Sequence, residues 1–267
     1  MNEPFPPFDP HGRRGPSLRE IPLRLIVPNL ITVLAVCAGL SGIRLAFEGR
    51  VETAVVMVLL AAFLDAVDGR VARMLKASSK FGAQMDSLAD IINFGAAPAL
   101  VLYAYLLERA GAVGWIAALL FAIACGLRLA RFNVMLEDES RPAWQGDYFV
   151  GVPAPAGAVI VMLPIYLGFL GVSPDHAVAF AACAYTVGVA FLLVSGLPVY
   201  SGKNSGNRVR RELVMPLMLV LVFYVLVLVS FTWITLAVSA VGYLIFLVFS
   251  VRAYSRRAAR EAAQHSE

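Results

Sequence analysis

Charge is scarce in this chain. Asp, Glu, Lys and Arg together make up 15% of its 267 residues, against 60% hydrophobic residues. A soluble domain of this length needs far more polar surface to cover its core, which excludes an ordinary soluble fold. Cysteine is nearly missing. Cys37, Cys125 and Cys183 lie in separate apolar runs, and their odd count argues against a disulfide framework or a zinc site. They read as small core residues. Histidine is equally rare: His11, His176 and His265 lie far apart, near the termini or in a loop, and form no catalytic constellation. The opening stretch MNEPFPPFDPHGRRGPSLRE has no apolar h-region, so no cleavable signal peptide is expected. The net charge of +4 does not point to nucleic acid, because the basic residues gather at the ends of apolar segments. There they set topology and meet anionic lipid headgroups.

What the chain does have is apolar runs close to the ~20 residues that cross hydrocarbon, repeated along nearly its whole length. A β-barrel would show shorter, alternating segments. The expected fold class is all-α: a polytopic transmembrane helical bundle of about eight spans, at 26–47, 53–74, 81–107, 113–132, 150–170, 176–194, 213–229 and 232–253. The stretch 213–253 accommodates either two tight spans or one span with a re-entrant piece. The chain divides into a polar N-terminal tail (1–25), a catalytic transmembrane core (26–195), a basic loop (196–212), a C-terminal transmembrane hairpin (213–253) and a basic tail (254–267).

Orientation follows from the basic residues. With the N-terminus inside, all of the 22 Lys and Arg except Arg44, Arg50 and Arg109 fall on the cytoplasmic side. Both termini and the Lys76/Lys80 loop then face the cytoplasm, as expected for a bacterial inner-membrane protein. Arg252, Arg256, Arg257 and Arg260 form a basic end that either lies on anionic headgroups or is simply solvated.

Against this background four aspartates stand out. Asp65 and Asp68 are spaced i, i+3 near the end of the second span, and Asp86 and Asp90 i, i+4 near the start of the third. Each spacing puts both carboxylates on one helical face. Carboxylates near bilayer depth are costly and need neutralising partners. Arg70 and Arg73 can pair with two of them and leave the others unmatched. Hard divalent cations such as Mg²⁺ or Mn²⁺ bind carboxylate and phosphate oxygens together, and two metals ~4 Å apart can serve four carboxylates.

The full segment reads Asp65-Ala-Val-Asp68-Gly69-Arg-Val-Ala72-Arg73, eight residues, then Gly82-Ala-Gln-Met-Asp86-Ser-Leu-Ala-Asp90. It resembles the signature of the CDP-alcohol phosphatidyltransferases, DxxDGxxAR…GxxxDxxxD, with every fixed position filled. The resemblance implies Asp65, Asp68 and Asp86 as metal ligands. It implies Asp90 as general base, with a share in ligation; a purely ligating Asp90 is the alternative. It implies a CDP site formed by Asp68, Gly69, Ala72, Arg73, Gly82 and Asp86, with a divalent cofactor, Mg²⁺ or Mn²⁺ and two in number, and a homodimer. Gly69, Ala72 and Gly82 leave room for a nucleotide, and Arg73 can donate paired hydrogen bonds to phosphate.

Further segments, 93–99, 127–133, 149–156 and 195–204, look like the bacterial and archaeal phosphatidylserine synthase branch, and the likeness runs from about Pro28 to Lys203. Ala35 departs from it, where many members carry Asn. The branch implies transfer of the phosphatidyl group from CDP-diacylglycerol to L-serine with release of CMP. Serine's carboxylate then wants a fixed cation. Arg128, Arg131 and Lys203 are candidates for acceptor binding, with Asn93 and Asn133 as polar contacts; topological anchoring and ordinary interhelical hydrogen bonds are the bland readings. Gly151, Pro153 and Pro155 either start the fifth span or shape the acceptor pocket. Gly39 and Gly42 read as helix packing, within the chain or at a dimer seam. The alternatives are another acceptor (glycerol 3-phosphate, an inositol phosphate or choline) or, in a different class, a cation transporter using the aspartates as an ion path.

Overall fold

The structure, a computed structural model, describes residues 23–76, 79–136, 148–195, 198–200 and 211–264. Among them the chain is helical throughout, as expected, apart from two strands of three residues each. The chain is an integral membrane protein. Five helical segments are long and apolar enough to cross a bilayer: Ile26–Phe47, Phe81–Tyr105, Ala112–Met135, His176–Val194 and Thr232–Ser250. Ala154–Phe169 and Val214–Ser230 are shorter apolar helices. The second span falls outside that set because it carries Glu52, Asp65, Asp68, Arg70 and Arg73. The placement of helices follows the eight expected spans.

Helices α1 (Leu23–Phe47) and α2 (Val51–Met74) form the most extensive pairing in the molecule. Their close approach depends on small residues: a Cβ on Gly42 would come 3.1 Å from the Ala54 carbonyl oxygen and 3.2 Å from Val58 Cγ2. A Cβ on Gly39 would come 2.5 Å from Asn93 Oδ1. Both glycines of the first span thus face neighbours in their own chain. Helix α2 stops where Lys76 takes the left-handed region (φ 50°), an uncommon conformation for a residue with a Cβ.

The third span begins with α3 (Lys80–Asp90), capped by Ser79, whose Oγ accepts from the Gly82 N–H at 2.9 Å. It then widens into a single π turn, Ile91–Ala96, and continues as α4 (Ala97–Tyr105). Pro98 has no N–H for the Phe94 carbonyl, and its ring crowds the preceding turn, so the wider turn relieves a local conflict. The π turn presses on α5 (Ala112–Leu136): a Cβ on Gly95 would lie 3.2 Å from Cys125 Cβ.

The fifth span differs from its expected bounds of 150–170. Strand β1 (Tyr148–Val150) precedes it, helix α6 starts only at Ala154 and ends at Val161, and α7 (Leu163–Phe169) follows. The break at Met162 has a cause in Pro164, which withholds an N–H from the Ile160 carbonyl. Gly151 adopts φ 81°, and Pro153 and Pro155 flank the first helical turn, so this cluster starts the helix. After α8 (His176–Val194), strand β2 (Pro198–Tyr200) pairs antiparallel with β1, Phe149 opposite Val199. The core sits among α4 to α8, with Phe94, Leu102, Phe121, Ile160 and Tyr166 fully buried. The last two helices, α9 (Arg211–Ser230) and α10 (Thr232–Gln264), form the C-terminal hairpin. The α9 side chains from Val214 to Leu226 are exposed apolar groups, as lipid-facing residues are. Helix α10 packs against α6, α7 and β2 and continues well past the expected end of its span at 253.

Candidate active site

Asp65 and Asp68 reach the site from the last turns of α2, and Asp86 and Asp90 from α3. One carboxylate oxygen each from Asp65, Asp68 and Asp86 falls within a mutual 4.8 Å. Asp90 joins the group within electrostatic reach of Asp65 and Asp86. The hairpin between the second and third spans therefore brings all four acids together. Asp68 is buried, Asp65 half-buried and Asp86 exposed, so the cluster grades from the bundle interior to an open mouth.

These acids are poorly matched by protein cations. Asp65 Oδ1 and Asp68 Oδ1 are shielded from solvent and have no hydrogen-bond partner among the described residues. Arg73 acts electrostatically on Asp86 and Arg128 on Asp90, yet neither forms a close ion pair with them. Unpaired buried carboxylates cost several kcal/mol each. An all-oxygen donor set with free buried lone pairs is what a hard divalent cation requires, so the cluster can hold a metal.

Beside the acids lies an open cavity of about 180 Å³. Its α2 and α3 walls are Asp68, Gly69, Ala72, Arg73, Gly82, Ala83 and Asp86, which include all six positions expected to form the nucleotide site. The third wall is α1, through Pro28, Asn29 and Thr32. Thr32 donates its hydroxyl hydrogen bond to Asp68 Oδ2 and also lies 3.1 Å from the Pro28 carbonyl oxygen. Gly82 is held tightly here: a Cβ on it would come 3.0 Å from Asn29 Oδ1 and 3.1 Å from Ser79 Oγ. A Cβ on Gly69 would meet only Arg73 Nη1, at 3.7 Å, and would otherwise project into open space. Sequence reasoning missed Thr32; its only signal is a hydroxyl one helical turn after Pro28 in an apolar run.

The expected acceptor residues separate. Arg128 is buried, with its guanidinium over the Phe132 ring at 5.6 Å from the centroid and its Nε without a hydrogen-bond partner among the described residues. Arg131 is exposed and donates from Nη1 to the Val194 carbonyl oxygen at 3.3 Å. Asn133 is also exposed and donates to Ser87 Oγ at 3.0 Å, which ties α5 to α3. Asn93 sits fully buried in the π turn with both amide atoms unpartnered. Lys203 lies outside the described residues.

Comparison with known proteins agrees with this geometry. Residues 25–195 match the family model of the CDP-alcohol phosphatidyltransferases, and residues 212–247 match a second model, CDP-alcohol phosphatidyltransferase 2. The chain is 40% identical over 260 residues to a CDP-diacylglycerol–serine O-phosphatidyltransferase of Mycobacterium bovis, covering 97% of this chain and 85% of that protein. It is 44% identical over 190 residues to the enzyme of that name from Mycobacterium leprae, covering 71% and 61%. An archaetidylserine synthase of Methanothermobacter thermautotrophicus is 30% identical over 182 residues, covering 67% and 71%. With the acidic signature complete and the match spanning the whole α1–α8 core, the chain belongs to the CDP-alcohol phosphatidyltransferase family.

Proposed function

We propose that this protein transfers the phosphatidyl group of CDP-diacylglycerol to the hydroxyl of L-serine, releasing CMP. One observation carries the reading: four converging carboxylates adjoin a cavity walled by Gly69, Ala72 and Gly82, in a chain whose relatives bear the name of that activity. Asp65, Asp68 and Asp86 would hold divalent cations, Mg²⁺ or Mn²⁺ and two in number, with Asp90 sharing in ligation. Bound there, such cations neutralise a diphosphate and stabilise the charge that develops on its leaving group.

The chain's own residues do the rest. Gly69, Ala72 and Gly82 leave space for cytidine, and Arg73 donates to a phosphate oxygen. Asp90, set beside Asp65 in the cluster, takes the proton of the serine hydroxyl. The serine oxygen bonds to the lipid-side phosphorus as the bond from that phosphorus to the CMP oxygen breaks. Arg128, a buried cation within electrostatic reach of Asp90, holds the serine carboxylate. Arg131, Asn133 and Lys203 contribute to acceptor binding, and Asn93, three residues after Asp90, offers its free amide to the acceptor.

The reading extends to placement. The basic-residue bias supports a bacterial inner membrane, a site open to the cytoplasm and cytoplasmic termini. The functional division is a catalytic core at 26–195, a basic loop at 196–212 and a hairpin at 213–253, between polar tails at 1–25 and 254–267. The working unit is a homodimer. Purified protein offered CDP-diacylglycerol, Mn²⁺ and a panel of radiolabelled acceptors tests the reading. Serine is incorporated; incorporation of glycerol 3-phosphate, an inositol phosphate or choline in its place refutes the choice of acceptor.

A further inference from the structure

Among the buried polar atoms that belong neither to the acidic cluster nor to the nucleotide cavity are Nε of Arg128 on α5 and the phenolic oxygen of Tyr243 on α10. Each is shielded from solvent and without a hydrogen-bond partner among the described residues. Arg128 is only 8% exposed. It lies within electrostatic reach of both Asp90 and Tyr243. The Tyr243 ring is steadied by Phe246, with centroids 6.2 Å apart, and packs against the main core. A buried donor left unpaired is costly, so each of these two groups calls for a partner. Arg128 thus links Tyr243 electrostatically to Asp90, the proposed general base.

We infer that Tyr243 and Arg128 together form the anchor for the acceptor's carboxylate, so that the C-terminal hairpin supplies a specificity-determining residue to a site otherwise built from α1 to α5. The inference rests on serine as the acceptor. A carboxylate has lone pairs enough to accept from a guanidinium N–H and a phenol O–H at once, and the guanidinium supplies its counter-charge. A phosphorylated acceptor brings more negative charge than one arginine balances. Choline carries no anion, and its one oxygen is the reacting hydroxyl. The position of Tyr243 is set by α10, which packs against α6, α7 and β2. Strand β2 pairs with β1 just before α6, and α6 in turn contacts α5, the helix of Arg128.

The test is Tyr243→Phe, which keeps the ring and removes the hydroxyl. Losing one hydrogen bond to a charged group corresponds to roughly a tenfold rise in KM for serine. The KM for CDP-diacylglycerol stays at the parent value, and kcat changes far less than the serine KM. Serinamide, which lacks the carboxylate, reports the same contact: the parent's preference for serine over serinamide narrows by about tenfold in the variant. A serine KM and a serinamide ratio both within about twofold of the parent overturn the inference. If Tyr243→Phe no longer binds CDP, Tyr243→Leu takes its place; a narrowed preference for serine over serinamide supports the anchor and an unchanged one overturns it. A parent protein that ignores serine and uses another acceptor fails the function proposed above, whereas an active parent with an indifferent Tyr243→Phe fails this inference alone.

Discussion

Replacing Thr32 by valine exchanges one hydroxyl for a methyl in nearly the same volume, on a helix that carries none of the signature acids. Thr32 is 4% exposed and Asp68, which accepts its hydrogen bond, is 2% exposed, so water cannot replace the lost donor. A hydrogen bond to a charged group contributes ~1.5–3 kcal/mol, and deleting a partner that orients a metal ligand typically costs about 10–100-fold in metal affinity or activity. The carboxylate of Asp68 also borders the cavity, so its loss of orientation reaches the nucleotide as well as the metal. The assay is Mn²⁺ titration of CDP binding, followed by protection against thermal unfolding. Thr32→Val should move the half-saturating Mn²⁺ concentration up by about tenfold or more, and Thr32→Ser should restore most of it. A Thr32→Val protein whose Mn²⁺ half-saturation stays within about twofold of the parent refutes the reasoning.

Three further outcomes are expected. Asp65→Asn or Asp86→Asn abolishes CMP release and weakens the metal dependence of nucleotide binding; retained turnover removes these residues from the ligand set. Asp90→Asn stops turnover while CDP-lipid binding, measured by equilibrium dialysis with CDP-diacylglycerol in detergent, persists. Equal loss of binding makes Asp90 a ligand first. Gly39→Ala forces its new Cβ to within 2.5 Å of Asn93 Oδ1 and should lower stability by ~1–3 kcal/mol, seen as a lower melting temperature; an unchanged melting temperature shows that the Asn93 amide has room to turn away.

Much of this architecture was legible in the sequence because its two strongest signals are local. Hydrocarbon thickness sets the length of an apolar run, so the helices fall where hydropathy places them, and i, i+3 and i, i+4 spacing fixes which carboxylates share a face. What escaped depends on contacts between distant segments. The β1–β2 pair joins three residues at 148 to three at 198, too short a pattern to register in either place. The break of the fifth span at Met162 rests on a single proline within an apolar run. Arg128 and Arg131 look equivalent along the chain, three residues apart at the end of one helix. Only the packing of α5 buries Arg128 toward Asp90 and turns Arg131 outward to Val194. Thr32 and Tyr243 sit in apolar helices whose composition says membrane and nothing more.

In this reaction the serine hydroxyl oxygen attacks the lipid-side phosphorus and CMP leaves. Turnover of CDP-diacylglycerol with L-serine carrying ¹⁸O in its hydroxyl, with mass analysis of both products, tests it most directly. The account predicts that the label stays in phosphatidylserine, bridging serine and phosphorus, with one unlabelled CMP formed per lipid. Label in CMP, or CMP release without labelled phosphatidylserine, contradicts it.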